Sequence, residues 1–322
     1  MVIHFEVHIG LGSDTMVYRM ENGRISPMEG DALTPIAEGH RIGVFGLEDA
    51  QQAAGLFGLS PDTVAHALTI RSARFESHEG MDIICAGLLN HRSLALPLER
   101  VYIFLKKDGL LFISGNPQFV EKLLERVMND GVPDVSFGKL LFMFFEYLTE
   151  RDSEYLEDIE QGIINLEDDV ILEKLDKNYV KTIISLRKRL MILKRYYEQL
   201  LGVFSYLGGN ENGLIDKRAL RNFKILEGRV DRLYHSVLNL RDYVTQIREA
   251  YQSQVDISLN VTMKVFTVIT AIFLPLTLIA GWYGMNLQMP EFNSPYSYPI
   301  VIAVSILVVV VCVVYFKKHK WF

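Results

Sequence analysis

The chain has 322 residues, 49% of them hydrophobic, with a net charge of −6 at neutral pH and two cysteines. That length predicts more than one structural unit, and the acidic balance argues against a nucleic-acid partner. Cys85 falls in a strand-like stretch and Cys312 in the last apolar run, which predicts no disulfide and suits a reducing cytosol.

The first residues, MVIHFEVHIG, contain Glu6 and two histidines. They lack a basic start and an unbroken apolar core, so no secretory signal is expected. His4 and His8 share a strand face, but without further clustered ligands they read as ordinary strand residues. The GLG at 10–12 lacks the third glycine of a dinucleotide fingerprint and reads as a turn. MDIICAGLLN and RVYIFLKKDGLLFISG are strand-rich, and Asp108-Gly109 marks a hairpin. Ser60-Pro61-Asp62 and Asn116-Pro117 start short helices, the second running to about Asp130. Residues 1–132 are thus expected to form an α/β domain.

From about Ser136 the pattern turns helical. It predicts one long helix over 137–176, another over 179–206, and a loop at LGGNENG (207–213). Segment 146–176 carries twelve acidic and two basic residues. This is either a solvated helix face or a region that meets cations or the Lys-rich end of the chain.

No helix breaker occurs from Leu214 to Leu274. Phe223, Leu226, Val230, Leu233, Val237, Leu240, Val244, Ile247 and Tyr251 alternate gaps of three and four, which is a packing seam. A second stripe runs beside it: His235, Asn239, Asp242, Gln246, Glu249, Ser253, Asp256 and Asn260. Its spacing continues without a slip through Met263, Thr267, Thr270, Leu274, Thr277 and Gly281. Threonine can also satisfy itself by bonding the backbone of the preceding turn, and helix packing would also use small and hydroxyl residues on one line. The unbroken phase favours a water-lined path. One such helix cannot enclose water, so a path requires a ring of identical subunits. Asp242, Glu249 and Asp256 are seven apart and would form circles of carboxylate that concentrate cations.

Between Lys264 and Lys317 the chain holds one charged residue, Glu291. The apolar runs 265–285 and 298–316 are each long enough to cross a hydrocarbon core of about 30 Å as helices. Lys264, Lys317, Lys318 and Lys320 flank them, so both ends are expected inside and the intervening loop outside. Trp282, Tyr283, Tyr296 and Tyr298 suit an interfacial belt. The resulting fold is an α+β membrane protein in three parts: a cytosolic α/β domain (1–132), a cytosolic helical stalk (133–260) and a two-helix transmembrane domain with a basic tail (261–322).

Tyr283-Gly284-Met285-Asn286 at the end of a first span, Met289-Pro290-Glu291 after it, a short second span and a lysine-rich tail ending in Trp-Phe resemble the CorA magnesium channels. The likeness extends along the whole chain. It implies a homopentameric funnel in the cell membrane, with first spans lining the pore and no enzymatic activity. Asn286 would ring the outer mouth, with Gly284, Met285 and Glu291 beside it. Asn260, Met263, Thr270, Leu274, Thr277 and Gly281 fall on the family's pore positions, and Thr267 shares their stripe. Phe266 stands where a leucine often sits near the inner constriction, which implies a tighter apolar gate. Leu287-Gln288 make the loop shorter and less acidic than in many members. A regulatory divalent site between subunits would use Glu249, with Asp242 or Asp256 as substitutes and Glu79 or Asp82 as partners. The function so implied is a passive Mg²⁺ channel closed by cytosolic Mg²⁺. The alternatives are the same fold moving Co²⁺, Ni²⁺ or Zn²⁺, or a membrane-anchored sensor that conducts nothing. No nucleotide motif calls for ATP.

Overall fold

The computed structural model describes residues 16–28, 40–91, 94, 98–172, 178–286, 295–319 and 321. Its contacts divide the chain into two compact units, one of residues 1–169 and 175–245, the other of residues 170–174 and 246–322.

The first unit is built on a seven-stranded mixed sheet. Strands β1 (Met16–Glu21), β2 (Arg24–Pro27), β3 (His40–Gly46), β4 (Arg74–His78), β5 (Met81–Leu88), β6 (Glu99–Lys106) and β7 (Gly109–Ser114) lie in the order β2-β1-β3-β7-β6-β5-β4. Only the β3–β7 pair is parallel. The expected turn at Asp108-Gly109 joins β6 and β7. The central strands carry apolar residues in successive positions because both faces are covered. Ile83, Cys85, Tyr102, Phe104, Leu111 and Ile113 face α1 (Ala50–Leu56) and α2 (Pro61–Thr69). The alternate residues, such as Phe112, meet the other layer, where Phe112 lies 5.5 Å from Phe144. That layer holds α3 (Pro117–Asn129) and α4 (Phe137–Leu148). Proline at the first helical position starts both α2 and α3, as the sequence indicated.

The expected single helix over 137–176 is two. α4 ends at Leu148 and α5 runs Asp152–Ile171. Thr149 is the C-cap, with φ −106° and ψ 7° outside the helical region, and its hydroxyl donates to the Phe145 carbonyl at 3.0 Å. Asp152 then turns fully inward, and His91 bonds its carboxylate at 2.8 Å from the far end of β5.

α6 spans Tyr179–Gly209 and α7 spans Lys217–Tyr283, 67 residues without interruption. The predicted seam is buried from Phe223 through Val244, with Ile247 buried beyond it. Phe223 is its anchor, within 6.0–6.3 Å of Phe142, Phe145 and Phe204 on α4 and α6. Burying side chains of this size stabilises by roughly 1.5–3 kcal/mol each. Asp216 starts α7: its Oδ1 accepts from the backbone of Arg218 and Ala219 at 3.0 and 2.9 Å. Asn212, in the α6–α7 turn, donates to Asp82 (2.7 Å) and to the carbonyls of His78 and Met81, holding the β4–β5 hairpin.

The second unit contains the last part of α7 and helix α8 (Ser297–Lys318). Both helices are apolar and long enough to cross a membrane, and almost none of that apolar surface is buried within the chain.

Candidate functional site

Two faces of α7 divide the second unit's first span. At about 100° per residue, Val268 and positions 271, 272, 275 and 279 fall on one side. These are buried or half-buried, and the Cys312 thiol of α8 meets the Ala271 carbonyl there at 3.8 Å. Asn260, Met263, Thr267, Thr270, Leu274, Thr277 and Gly281 lie about 80–180° around the helix from Val268, and every one of them is exposed. Phe266 borders that stripe and is exposed too. The chain's own second span therefore leaves the polar stripe open.

The threonines are aligned by the backbone. Thr267 donates its hydroxyl to the Met263 carbonyl and Thr277 donates to Phe273, each at 2.8 Å. A hydroxyl whose proton is used this way presents only lone pairs outward. Thr267 and Thr277 thus turn acceptor oxygens outward. Further along, Leu274, Thr277, Gly281 and Met285 line one side of an open groove of about 720 Å³ with Pro275, Leu278 and Trp282.

The helix stops where the tripeptide begins. Gly284 donates its N–H to Ala280 at 2.9 Å, and Met285 donates to Trp282 at 3.4 Å. Asn286 follows directly and is exposed. Glu291 lies outside the described residues, as does Lys320.

The carboxylates proposed for regulation are spread through both units. Asp242 in the first and Glu249 and Asp256 in the second are all exposed on α7. Glu79 is exposed at the tip of the β4–β5 hairpin. Asp82, three residues on, is 1% exposed. Burial raises its pKa, against hydrogen bonds from Asn212 and Ser77 that lower it. Its Oδ1 takes those bonds, and its Oδ2 has no partner among the described residues. No group of three or more metal-ligating side chains comes together among the described residues of one chain.

The acidic run is now divided. Leu156, Ile159, Ile163 and Val170 turn inward, while Glu154, Asp158 and Asp168 are exposed. Glu157 and Glu160 line a cleft of about 440 Å³ that Arg229 and Arg232 of α7 share. Glu167 accepts a short hydrogen bond from the Tyr243 hydroxyl. Part of the acidic face thus meets basic and phenolic groups on α7 within its own unit.

Two sets of residues escaped the sequence reading. Asp152 and His91 are 61 positions apart, and only the histidine's place just after a strand hinted at a contact. Asn212 sits in an Asn- and Gly-rich loop, whose composition signals side-chain bonding to the backbone without naming its target.

These features define a membrane protein with a mixed α/β domain, one very long helix and two C-terminal spans. Residues 48–318 match the CorA-like Mg²⁺ transporter protein family, and the chain belongs to that family. It is 31% identical over 286 residues to the cobalt/magnesium transport protein CorA of Thermotoga maritima, covering 87% of this chain and 81% of that one. It is 24% identical over 268 residues to the zinc transport protein ZntB of Pectobacterium carotovorum, covering 82% and 81%. Among solved structures, the complete CorA magnesium transporter of Methanocaldococcus jannaschii superposes with a TM-score of 0.80 at 20% identity, covering 97% of this chain and 100% of that one. The full-length CmaX protein superposes at 0.76 and 18%, covering 96% and 98%.

Proposed function

We propose that the chain is one subunit of a homopentameric channel in the cell membrane that lets Mg²⁺ pass into the cell down its electrochemical gradient. The observation that carries this reading is the exposed stripe from Asn260 to Gly281, on a different side of α7 from buried Val268. Two of its threonines are turned so that acceptor oxygens face outward. Mg²⁺ gives up its waters reluctantly. Amide and hydroxyl oxygens can bond those waters without stripping them, and an uncharged lining lets the ion leave again. Asn286, exposed at the end of the pore helix, would meet the hydrated ion first, with Gly284 and Met285 shaping the mouth and Glu291 drawing cations to it. Met263, Phe266 and Leu274 would form the apolar constrictions. The membrane potential supplies about 2.3 kcal/mol per charge per 100 mV.

Cytosolic Mg²⁺ would close the channel by binding between subunits. Glu249 is the first candidate ligand, followed by Asp256 and Asp242, each exposed on α7. Of the two partner candidates, Glu79 is exposed, while one oxygen of Asp82 is held by Asn212. Both termini would be cytosolic, given the lysines beyond each span. The relatives named for cobalt/magnesium and zinc transport support a second reading, in which the same path carries Co²⁺, Ni²⁺ or Zn²⁺.

The test is flux into liposomes holding a Mg²⁺ indicator, repeated with each competing metal, for the wild type and Asn286→Ala. Mg²⁺ uptake that Asn286→Ala abolishes while the oligomer persists supports the reading. No uptake of any metal by the wild type supports a non-conducting sensor instead, and preferred uptake of another metal supports the second reading.

A further inference from the structure

The first span contains a proline, Pro275, inside continuous helix. A proline has no backbone N–H, and its ring removes the donor that would reach the carbonyl four residues earlier. That carbonyl belongs to Ala271. In hydrocarbon no water can replace the lost donor, so a freed carbonyl must find a partner within the protein. The Cys312 thiol of α8 lies 3.8 Å from the Ala271 oxygen, within the range of an S–H···O bond.

We infer that Cys312 is a positioning residue: its thiol supplies the hydrogen bond that Pro275 takes from Ala271, and so ties the outer span to the pore helix at the point where that helix's own ladder is open. Three placements converge on it. Ala271 and Pro275 lie on the half-buried side of α7, in line with buried Val268. Ala271 is small, so α8 can come close to the backbone there. Cys312 is itself half-buried and its sulfur has no disulfide. The stripe residue Leu274 is the direct neighbour of Pro275, and Thr277 is two residues beyond it. An unsupported opening at Pro275 would therefore loosen the helix where the stripe passes the middle of the span. In this respect the inference rests on the conduction reading, but the hydrogen bond itself does not.

The experiment is a two-by-two cycle on the full chain in lipid: wild type, Cys312→Ala, Pro275→Ala and the double variant, with Cys312→Ser as the conservative replacement. The S–H stretching band of Cys312 is isolated by subtracting each Cys312→Ala infrared spectrum from its parent, which removes the contribution of Cys85. In the Pro275→Ala background a backbone N–H again reaches Ala271 and competes for its oxygen. The band is then expected at higher frequency than in the wild type, the sign of a weaker bond. Cys312→Ala is expected to lower the thermal midpoint when Pro275 is present and to have little effect when it is replaced, with Cys312→Ser restoring the midpoint. Mg²⁺ flux should follow the same pattern. A band at the same frequency in both backgrounds, or an equal loss from Cys312→Ala in both, overturns the inference. A shifted band and a non-additive cycle in a protein that conducts no metal would uphold the hydrogen bond and sink the conduction reading alone.

Discussion

A Cβ on Gly284 would stand 2.8 Å from the carbonyl oxygen of Ala280, closer than a carbon that cannot hydrogen-bond sits to a backbone oxygen. The glycine of the tripeptide is therefore a geometric need of the helix end. Only a residue without a side chain can close the last turn against Ala280 and deliver Asn286 directly after it. Gly284→Ala is expected to displace Asn286 and cut Mg²⁺ flux at least tenfold while the two spans and the oligomer remain. Liposome flux beside size-exclusion chromatography reads both. Flux within twofold of the wild type would show that the mouth tolerates a different helix end.

Gating is tested at Glu249. Bound Mg²⁺ would neutralise carboxylates that otherwise repel, and a ligand shifts a two-state equilibrium only by its preference for one state. Glu249→Ala removes part of that preference. The Mg²⁺ concentration that protects the protein from limited proteolysis, and the one that halts flux, are both expected to rise severalfold. Unchanged midpoints in both assays would move the role to Asp256 or Asp242.

The start of α7 gives a prediction with a pH sign. Burial pushes the Asp216 carboxyl up. The hydrogen bonds from Ser136 and from the backbone of Ala219 and Arg218 together outweigh it and hold the pKa below the ordinary value. A lowered pKa in the folded state means stability that is present above the unfolded pKa of about 3.9 and lost as pH falls through the folded value. Asp216→Ala should cost about 1 kcal/mol at pH 7, the usual worth of a helix cap. The difference should shrink below about pH 4. Thermal midpoints of the detergent-solubilised chain across that range read it, and a difference independent of pH would rule out the charged cap.

Topology is read by labelling. Cysteines placed at Ser294 and at Lys318 are expected to react with an impermeant maleimide from opposite sides of intact cells. Reaction of both from outside would refute cytosolic termini.

Much of this architecture was legible because its signals are periodic. The seam from Phe223 to Val244 repeats every three or four residues, and a repeat of that kind leaves a helix few ways to bury its apolar side. The polar stripe follows the same kind of repeat, and its residues from Asn260 to Gly281 are exposed on α7. The break between α4 and α5 was not. Apolar spacing continues across it, and the turn is accompanied by Asp152 burying its carboxylate against His91, a partner distant in sequence. The Ala271–Cys312 contact was hidden likewise. Pro275 announces a missing donor, but which α8 residue replaces it depends on how two spans align, and uniform runs of valine carry no register. Glu249 shows the same limit at the site. Its exposure follows from the stripe, whereas the partner proposed for it on a neighbouring subunit leaves no signal in the sequence of one chain.

The polar stripe also sets a handedness. From His235 to Thr277 its spacing covers six heptads, and a straight α-helix drifts about 20° per heptad against such a repeat, or about 120° in all. Copies of α7 whose stripes all face a common axis must therefore coil around it as a left-handed rope. In such a rope the amount of winding decides which side chains point inward at each level. If the proposed channel takes this form, a small unwinding near Glu249 would turn Thr270 and Thr277 away from the axis without any helix having to slide.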